Sequence, residues 1–331
     1  MKQTNRRQNG FALLVVIMVL LLVSFLAVQL TLSVRTELKI GTNTTSGTTG
    51  RFLAEGAVSK AVFRLIDTPK ETAKKMEESL SEDDEDLFVE GREYTETMPG
   101  GEVKYYAAND SGKIDLNRCP RKLFDLFLEY NGLTEEERMT LLDSLEDWRD
   151  TNDMHRLNGA EKEYYEGLSD PYQPRNGLLE DVAELYLIKG ADVLLDRVMR
   201  PYEAFTVKSK QNKINFNSLT PAMLDFMVQG DEDRKVAYYD AKKEKKKMLS
   251  VNEARQILGD DRLKTLQPFL SFSPGSCRYF TIVASAFTGE KPAGSEEEEA
   301  ENKDLPTTAL NVIVRLEGNR FKYVFWGKSE S

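Results

Sequence analysis

The sequence predicts an α+β protein in which a long N-terminal helix precedes an antiparallel sheet and a large helical domain is inserted into that sheet. An uncharged apolar run occupies residues 11–28. Segments with strand character occur before residue 118 and after residue 277, and the region between them has helical periodicity. We therefore divide the chain into a leader, a membrane helix, a first helix-and-strand part, an inserted helical domain and a final set of strands: residues 1–10, 11–34, 35–117, 118–276 and 277–331.

The N-terminus has the charge pattern of a membrane-spanning segment. The leader MKQTNRRQNG carries three basic residues and no acid, and the next charged residue is Arg35. As a helix, residues 11–34 reach about 36 Å at roughly 1.5 Å per residue, enough to cross a hydrocarbon core of about 30 Å. The basic leader favours a cytoplasmic N-terminus. The sequence thus predicts a single-pass membrane protein whose chain from about Arg35 onward faces the periplasm or the outside.

The junction between the leader and the apolar run indicates how the chain is processed. A secretory signal is cleaved after its apolar run beside small residues, and QLTLSVRTELK offers no such site. A basic leader that ends in Gly10 before Phe11 instead resembles a type IV prepilin leader, which is cut between these two residues with the helix retained. A plain uncleaved anchor is the alternative.

Val15 refines this interpretation. Prepilins usually carry glutamate at the fifth residue after the cut, and this carboxylate pairs with the amino terminus of the subunit ahead. A carboxylate within a membrane is costly and is normally kept for a function. The valine in this chain therefore suits a subunit at the tip of a filament, with no subunit ahead of it.

Composition excludes several functional classes. The net charge is −10, and the leader contributes +3, so the remainder carries −10 − 3 = −13. Such an acidic ectodomain argues against nucleic acid as a partner. We interpret the one basic cluster, residues 241–247, as the solvated face of a helix. A single histidine, His155, excludes nucleophilic triads and zinc sites built on several histidines.

The stretch after the membrane segment predicts a helix that is interrupted and then packed. Apolar residues from Phe52 to Ile66 recur at helical spacing. Before them, GTNTTSGTTG at 41–50 is poor helix material, so we expect it to bend or melt the helix, with a simple linker as the alternative. Residues 70–90 are acidic and predict a surface loop.

Two groups of strands are expected on either side of the insertion. The first lies around the turn Met98-Pro99-Gly100-Gly101. The second contains an acidic loop with EEEE at 296–299 between its first two strands, and it ends in a hairpin at Gly318-Asn319. The predicted strand segments are REYTET, EVKYYAA, KIDLN, RYFTIVASAF, TTALNVIVRLE and RFKYVFW.

The insertion contains an internal repeat. KIDLNRCPRKLFDLFL at 113–128 resembles KINFNSLTPAMLDFMV at 213–228. Each copy is followed by a capping box, Thr134 with Glu137 and Ser250 with Glu253. The pattern predicts two helical hairpins. Some helix-hairpin-helix units bind DNA, but the acidic NGLTEEE segment disfavours that function.

Taken together, the chain resembles the type II secretion minor pseudopilin K family over nearly its whole length. The most specific segments are RRQNGFALLVV without the glutamate, LEDWRDTNDMHRLNGAEKEYY and DPYQPRNGLLEDVAEL. The resemblance implies a structural subunit, not an enzyme, at the tip of a periplasmic pseudopilus that helps export folded proteins across the outer membrane. The implied partners are minor pseudopilins I and J, the major pseudopilin and prepilin peptidase, with the secretin or the exported proteins as further candidates. Two alternatives are a minor pilin of a type IV pilus or DNA-uptake system and a membrane-anchored metal-dependent enzyme.

The resemblance also implies calcium binding. Asp147, Asp150, Asp153 and Glu161 supply hard oxygen ligands within fifteen residues. Asn152 departs from a family pattern that is richer in aspartate there. A solvated acidic loop at a helix end is the alternative.

The two cysteines are predicted to form a disulfide. Cys119 follows KIDLN and Cys277 directly precedes RYFTIVASAF, so the two lie where the insertion leaves and re-enters the sheet. An oxidising compartment permits such a bond. Two unrelated buried thiols are the alternative.

Overall fold

A computed structural model describes the chain over seven stretches: residues 8–67, 88–198, 200–245, 248–273, 276–288, 307–318 and 320–328. The first seven residues of the leader lie outside it. So do most of the predicted acidic loop at 70–90, the EEEE segment and Asn319.

The first element is one helix, α1 (Gln8–Asp67), of 60 residues, which is about 90 Å at roughly 1.5 Å per residue. Its apolar N-terminal half is exposed, and it is long and apolar enough to cross a membrane. This agrees with a membrane anchor at the N-terminus.

The prediction of a bend or linker at residues 41–50 is wrong, because α1 runs unbroken through them. Threonine hydroxyls donate within the helix, from Thr42 to the Leu38 carbonyl oxygen at 2.9 Å and from Thr44 to the Ile40 carbonyl oxygen at 2.8 Å. From Ser46 onward the helix also contacts the sheet, where the Ser46 hydroxyl meets that of Thr288. These local and tertiary contacts override a weak intrinsic propensity.

An antiparallel sheet follows and confirms the predicted α+β class. Its spatial order is β1-β2-β7-β8-β9, so the chain leaves the sheet after β2 and returns at β7. Pro99 and Gly100 form the predicted turn between the first two strands. The five strands are β1 (Tyr94–Met98), β2 (Gly101–Asn109), β7 (Tyr279–Thr288), β8 (Thr308–Glu317) and β9 (Arg320–Lys328).

The C-terminal part of α1 packs against one face of this sheet. Ala54, Ala57 and Ala61 are fully buried there against alternate residues of β2, β7 and β8. Small side chains let the helix approach the sheet closely. Gly50 shows the same requirement, since a Cβ there would lie 3.0 Å from the Thr308 hydroxyl oxygen.

Between β2 and β7 the chain forms a separate helical core with short paired strands. Its helices are α2 (Arg121–Tyr130), α3 (Glu135–Arg149), α4 (Lys162–Glu166), α5 (Ala191–Leu195), α6 (Pro201–Ala204), α7 (Pro221–Val228), α8 (Glu232–Lys245), α9 (Val251–Leu258) and α10 (Asp260–Leu266). Its two-residue strands are β3 (Ile114–Asp115), β4 (Phe205–Thr206), β5 (Ile214–Asn215) and β6 (Leu270–Ser271).

The internal repeat is visible in this core. β3 precedes α2 and pairs in parallel with β4, while β5 precedes α7 and pairs in parallel with β6. Both predicted capping boxes are confirmed, at the start of α3 and at the start of α9. Trp148, 2% exposed, lies in this core.

A buried ion pair joins the two cores. Asp110 follows β2 and lies 3.0 Å from the ammonium of Lys113, and both side chains are almost fully buried. The Asp110 carboxylate also accepts hydrogen bonds from Thr281 of β7 and Thr206 of β4, each at 2.8 Å. The sheet and the insertion therefore share one carboxylate.

Candidate metal centre

The acidic residues lie where α3 ends and α4 begins. Asp147 is in the last turn of α3, Asp150 caps its C-terminus, and Glu161 is the residue before α4. A loop of twelve residues, 150–161, connects the two helices. One ligand oxygen from each of these three residues lies within 4.8 Å of the others, so the structure brings together three of the four predicted ligands.

Arg156 from the connecting loop holds two of these carboxylates. Its backbone N–H donates to Asp147 Oδ2 at 3.0 Å, and its guanidinium contacts Asp147 and, at 2.8 Å, Asp150. The same guanidinium lies 2.9 Å from Glu146 Oε2. Hydrogen bonding to Asp150 and Asp147 raises the pKa of Arg156. The arginine thus acts as a built-in counter-ion.

Gly159 makes room for the Asp147 carboxylate. A Cβ at this position would lie 1.8 Å from Asp147 Oδ2, so a side chain here would force this carboxylate to move. The Asp147 side chain is fully buried. Glycine at this position therefore lets the loop close over Asp147 without displacing its carboxylate.

Glu161 is buried without a partner. Its residue is 4% exposed, and both carboxylate oxygens are buried with no hydrogen-bond partner among the described residues. Burial first, and then the negative charges of Asp147, Asp150 and Asp153, raise the pKa of Glu161 to about 7. A buried carboxylate in this situation calls for a cation or a proton.

Asp153, the fourth predicted ligand, lies at the edge of the cluster. Its carboxylate accepts a hydrogen bond from the Asn176 side-chain amide at 3.1 Å, and it lines the cavity next to Glu161. The Asn176 side-chain oxygen is buried and has no hydrogen-bond partner in the described part of the chain. Asn152 does not add a free oxygen, because its Oδ1 accepts from the Met154 N–H at 2.9 Å.

The donor set fits a hard divalent cation. Carboxylate oxygens are the ligands that Ca²⁺ prefers, and Glu161 offers two that have no hydrogen-bond partner among the described residues. The ion would be held by Asp147, Asp150 and Glu161. It would neutralise the negative charge of these carboxylates that Arg156 does not balance. The sequence identified the acids, but it did not indicate Arg156 or Asn176 as members of the site. The turn sequence at 174–177 was the one available signal for Asn176, whose φ is 50°.

Cys119 and Cys277 are both free thiols in the structure. Burial raises the pKa of each to about 12, and the charge of Asp115 acts in the same direction on both. The Cys119 N–H donates to the Asp115 carbonyl oxygen at 2.7 Å, and the Cys277 carbonyl oxygen accepts from the Asn109 side chain at 3.0 Å. Their disulfide is not formed here and stays a prediction.

Comparison with known proteins gives consistent results. The family model described as "Type II secretion system (T2SS), protein K" matches residues 107–205. Type II secretion system protein K of Klebsiella pneumoniae is 28% identical over 225 residues, covering 66% of this chain and 68% of that protein. Its Aeromonas hydrophila counterpart is 27% identical over 250 residues, covering 72% and 75%.

A solved structure was also matched, that of the GspK-GspI-GspJ complex from the enterotoxigenic Escherichia coli type 2 secretion system. The match has a TM-score of 0.49 and 13% identity, and it covers 90% of this chain and 99% of the other. The family model covers the region that holds the acidic cluster, and the curated relatives extend over about two thirds of the chain. The chain is therefore similar to type II secretion system protein K in these parts.

Proposed function

We propose that this chain is the minor pseudopilin that caps the tip of a type II secretion pseudopilus. The observation that carries the proposal is the helical core inserted between β2 and β7. The insertion contacts the sheet at Phe325 of β9, which stacks on Tyr202 with ring centroids 5.0 Å apart. A head enlarged in this way leaves little room for a further subunit above it.

The N-terminal half of α1 supports the same position. It is exposed up to the point where Ser46 meets the sheet, and Val15 is one of its exposed apolar residues. With no carboxylate at this place, the subunit has no partner group for an amino terminus ahead of it. We propose that α1 spans the inner membrane with its N-terminus in the cytoplasm and the head in the periplasm.

Pseudopilins I and J and the major pseudopilin are the proposed neighbours, because the chain is similar to type II secretion system protein K. Prepilin peptidase would cleave between Gly10 and Phe11. The role is structural, and the alternative of a type IV pilus or DNA-uptake pilin is not favoured by the family match.

We further propose that Asp147, Asp150 and Glu161 bind Ca²⁺, with Asp153 at the rim. The support is the Glu161 carboxylate, which has no hydrogen-bond partner in the described structure and lies beside the carboxylates of Asp147 and Asp150. Bound calcium would join the end of α3 to the start of α4 and so hold the cap in shape.

The tip position can be tested with two valine substitutions in a host that lacks its own protein K. Val15→Glu gives the chain the carboxylate that shaft subunits use, while Val16→Glu places the same charge one residue away. We expect Val15→Glu to impair secretion and to give new cross-links to the major pseudopilin, and Val16→Glu to give no such cross-links. Normal secretion and unchanged cross-links for Val15→Glu would contradict the proposal.

A further inference from the structure

Strand β9 leaves one edge of the sheet open. It is nine residues long and pairs with β8 alone in the described part of the chain. The opposite edge strand, β1, has five residues, and its Glu96 is held by Lys60 and Arg64 of α1. A long edge strand offers a row of unpaired backbone N–H and C=O groups. The β9 edge is therefore where another strand can add to this sheet.

An exposed aromatic row lies along β9. Phe321, Tyr323 and Trp326, which we call the aromatic edge, are 40–42% exposed. The ring centroid of Tyr323 lies 5.2 Å from that of Phe321 and 5.0 Å from that of Trp326. The cross-strand neighbours of these three residues are buried under α1: Leu316, Val314 and Val312.

The aromatic edge thus continues the buried face of the sheet beyond the area that α1 covers. The helix packs against β2, β7 and β8, and the rings of β9 remain open to solvent beside it. Apolar side chains on an added strand would extend the same core.

The opposite face of β9 is fixed in place. Phe325 pairs with Ile313 and stacks on Tyr202 of the insertion, with an interplanar angle of 20°. The strand is anchored on one face while the other stays open. A preordered edge binds a partner with a smaller loss of conformational entropy.

The charge of β9 is opposite to that of the chain. Arg320, Lys322 and Lys328 are exposed, the strand has no acidic residue, and the chain carries −10. None of the three forms an ion pair with a described residue. Lys322 lies opposite Arg315 in the ladder, and Arg315 is already paired with Glu317 at 2.8 Å. Lys322 is therefore the basic side chain of this pair that an added carboxylate would meet.

We propose that β9 binds an extended acidic segment of a partner protein, which adds to the sheet as a sixth strand. Backbone hydrogen bonds would give affinity, the aromatic edge would receive alternate apolar side chains, and the basic residues would select acidic ones. A second copy of this chain is disfavoured as the occupant, because β9 against β9 brings basic side chains together. The proposal does not depend on the tip position or on calcium.

Short synthetic peptides can test the proposal on the full chain in detergent. The first peptide alternates glutamate and valine. The second replaces each glutamate with lysine, and the third replaces each valine with proline, which removes the N–H donors of one edge. We expect the first to bind about tenfold more tightly than either of the others by fluorescence anisotropy. It should also slow amide hydrogen exchange in residues 320–328 and leave β1 unchanged.

A charge-reversal variant supplies the control for specificity. Lys322→Glu with Lys328→Glu should weaken the acidic peptide about tenfold and strengthen the lysine peptide. Lys264→Glu, an exposed reversal on α10, should change neither. Hydrogen exchange in β2 and β7 will show that the variants keep the sheet.

Three results would overturn the proposal. Equal binding of the acidic and proline peptides would mean that charge alone attracts them. Protection outside β9 would place the binding elsewhere. Self-association of the chain through β9 would identify a second copy as the occupant.

Discussion

At the scale of single residues, the most informative group is the Glu161 carboxylate, buried among acids with no hydrogen-bond partner in the described structure. Asp147 and Asp150 have Arg156, but Glu161 does not share it. The repulsion between the negative charges of the cluster therefore falls mainly on the Glu161 carboxylate. Its replacement should have opposite effects with and without a cation.

We expect Glu161→Gln to raise the melting temperature of the full chain by roughly 2 °C without calcium, because it removes a buried charge. In the natural chain, calcium at a hundred times its dissociation constant should add about 2.7 kcal/mol to the free energy of unfolding. The variant should lose that gain. Fluorescence of Trp148, which is in the same core, provides the measurement.

Glu163→Gln is the matched control for this experiment. Glu163 lines the same cavity two residues along but is exposed. It should behave as the natural chain does, with and without calcium. An equal calcium-dependent gain in Glu161→Gln and the natural chain would refute the ligand assignment.

Titration of Lys242 should make the free energy of unfolding depend on pH. The sequence indicated a solvated basic helix face, but this side chain is partly buried and donates to the carbonyl oxygens of Glu90 at 3.2 Å and Asn217 at 2.6 Å. Burial lowers the pKa of its ammonium from 10.5 to about 8, against the opposing effect of the Glu90 charge.

Between pH 8 and 10.5 the unfolded chain keeps the Lys242 proton that the folded chain has lost. The unfolded state then binds more protons, so this group makes the free energy of unfolding rise with pH, by on the order of 1 kcal/mol. Lys242→Met should lose this rise, and Lys243→Met, exposed and adjacent, should keep it. Urea unfolding at the two ends of this pH range measures how the free energy of unfolding changes with pH. The same change with pH in both variants would contradict this role of Lys242.

The acidic site could be predicted from the sequence only in part. The carboxylates are close in the chain, so their clustering is a local property that spacing reveals. Arg156 and Asn176 enter through the path of the loop, and the Asn176 amide meets Asp153 across 23 residues. The path of this loop decides which carboxylate oxygens lack a hydrogen-bond partner in the described structure. That path cannot be read from the sequence.

At the scale of elements, α1 shows why local propensity was misleading. Residues 41–50 hold glycines and threonines, yet the helix continues, since threonine hydroxyls bond back to the helix and the sheet contacts begin at Ser46. Both capping boxes were predictable, because each depends on residues three apart. The capping boxes, which depend on neighbouring residues, were predicted correctly. The continuity of α1, which also depends on packing against the sheet, was not.

Two adjacent substitutions on α1 should act in opposite directions. Gly56 is exposed, and a Cβ there meets no atom within 4 Å. Gly56→Ala should therefore raise the free energy of unfolding by about 1 kcal/mol through helix propensity. Ala57 is fully buried against the sheet, so Ala57→Leu should lower it by about 1–3 kcal/mol through overpacking. Thermal unfolding in detergent tests both, and a loss of stability in Gly56→Ala would show that the glycine is needed for another reason.

At the scale of the whole molecule, the sequence predicted the interruption of the sheet, because strand patterns stand on either side of a helical middle. It could not predict how the two cores are joined. Asp110, Thr206 and Thr281 come from separate parts of the chain and meet at one buried carboxylate. Such a junction depends on contacts between residues far apart in the chain, and the hydrophobic periodicity of the sequence does not reveal these contacts.

This junction leads to a prediction about cooperativity. Lys113→Met leaves the Asp110 charge buried without its ammonium, which should cost about 3–5 kcal/mol. Asp110→Asn combined with Lys113→Met should cost less than the single lysine substitution, since no uncompensated charge remains. Lys122→Met, which removes an exposed ion pair with Asp125, should change the free energy of unfolding by at most about 1 kcal/mol.

The two tryptophans report on the two cores separately, Trp148 in the insertion and Trp326 on β9. With either one replaced by phenylalanine, the remaining one should show the same urea midpoint in the otherwise natural chain, because the shared carboxylate couples the cores. In the Lys113→Met background the two midpoints should separate, since the insertion and the sheet then lose a common buried contact. Coincident midpoints in that background would mean that other contacts, such as the stacking of Phe325 on Tyr202, are sufficient to couple the two cores.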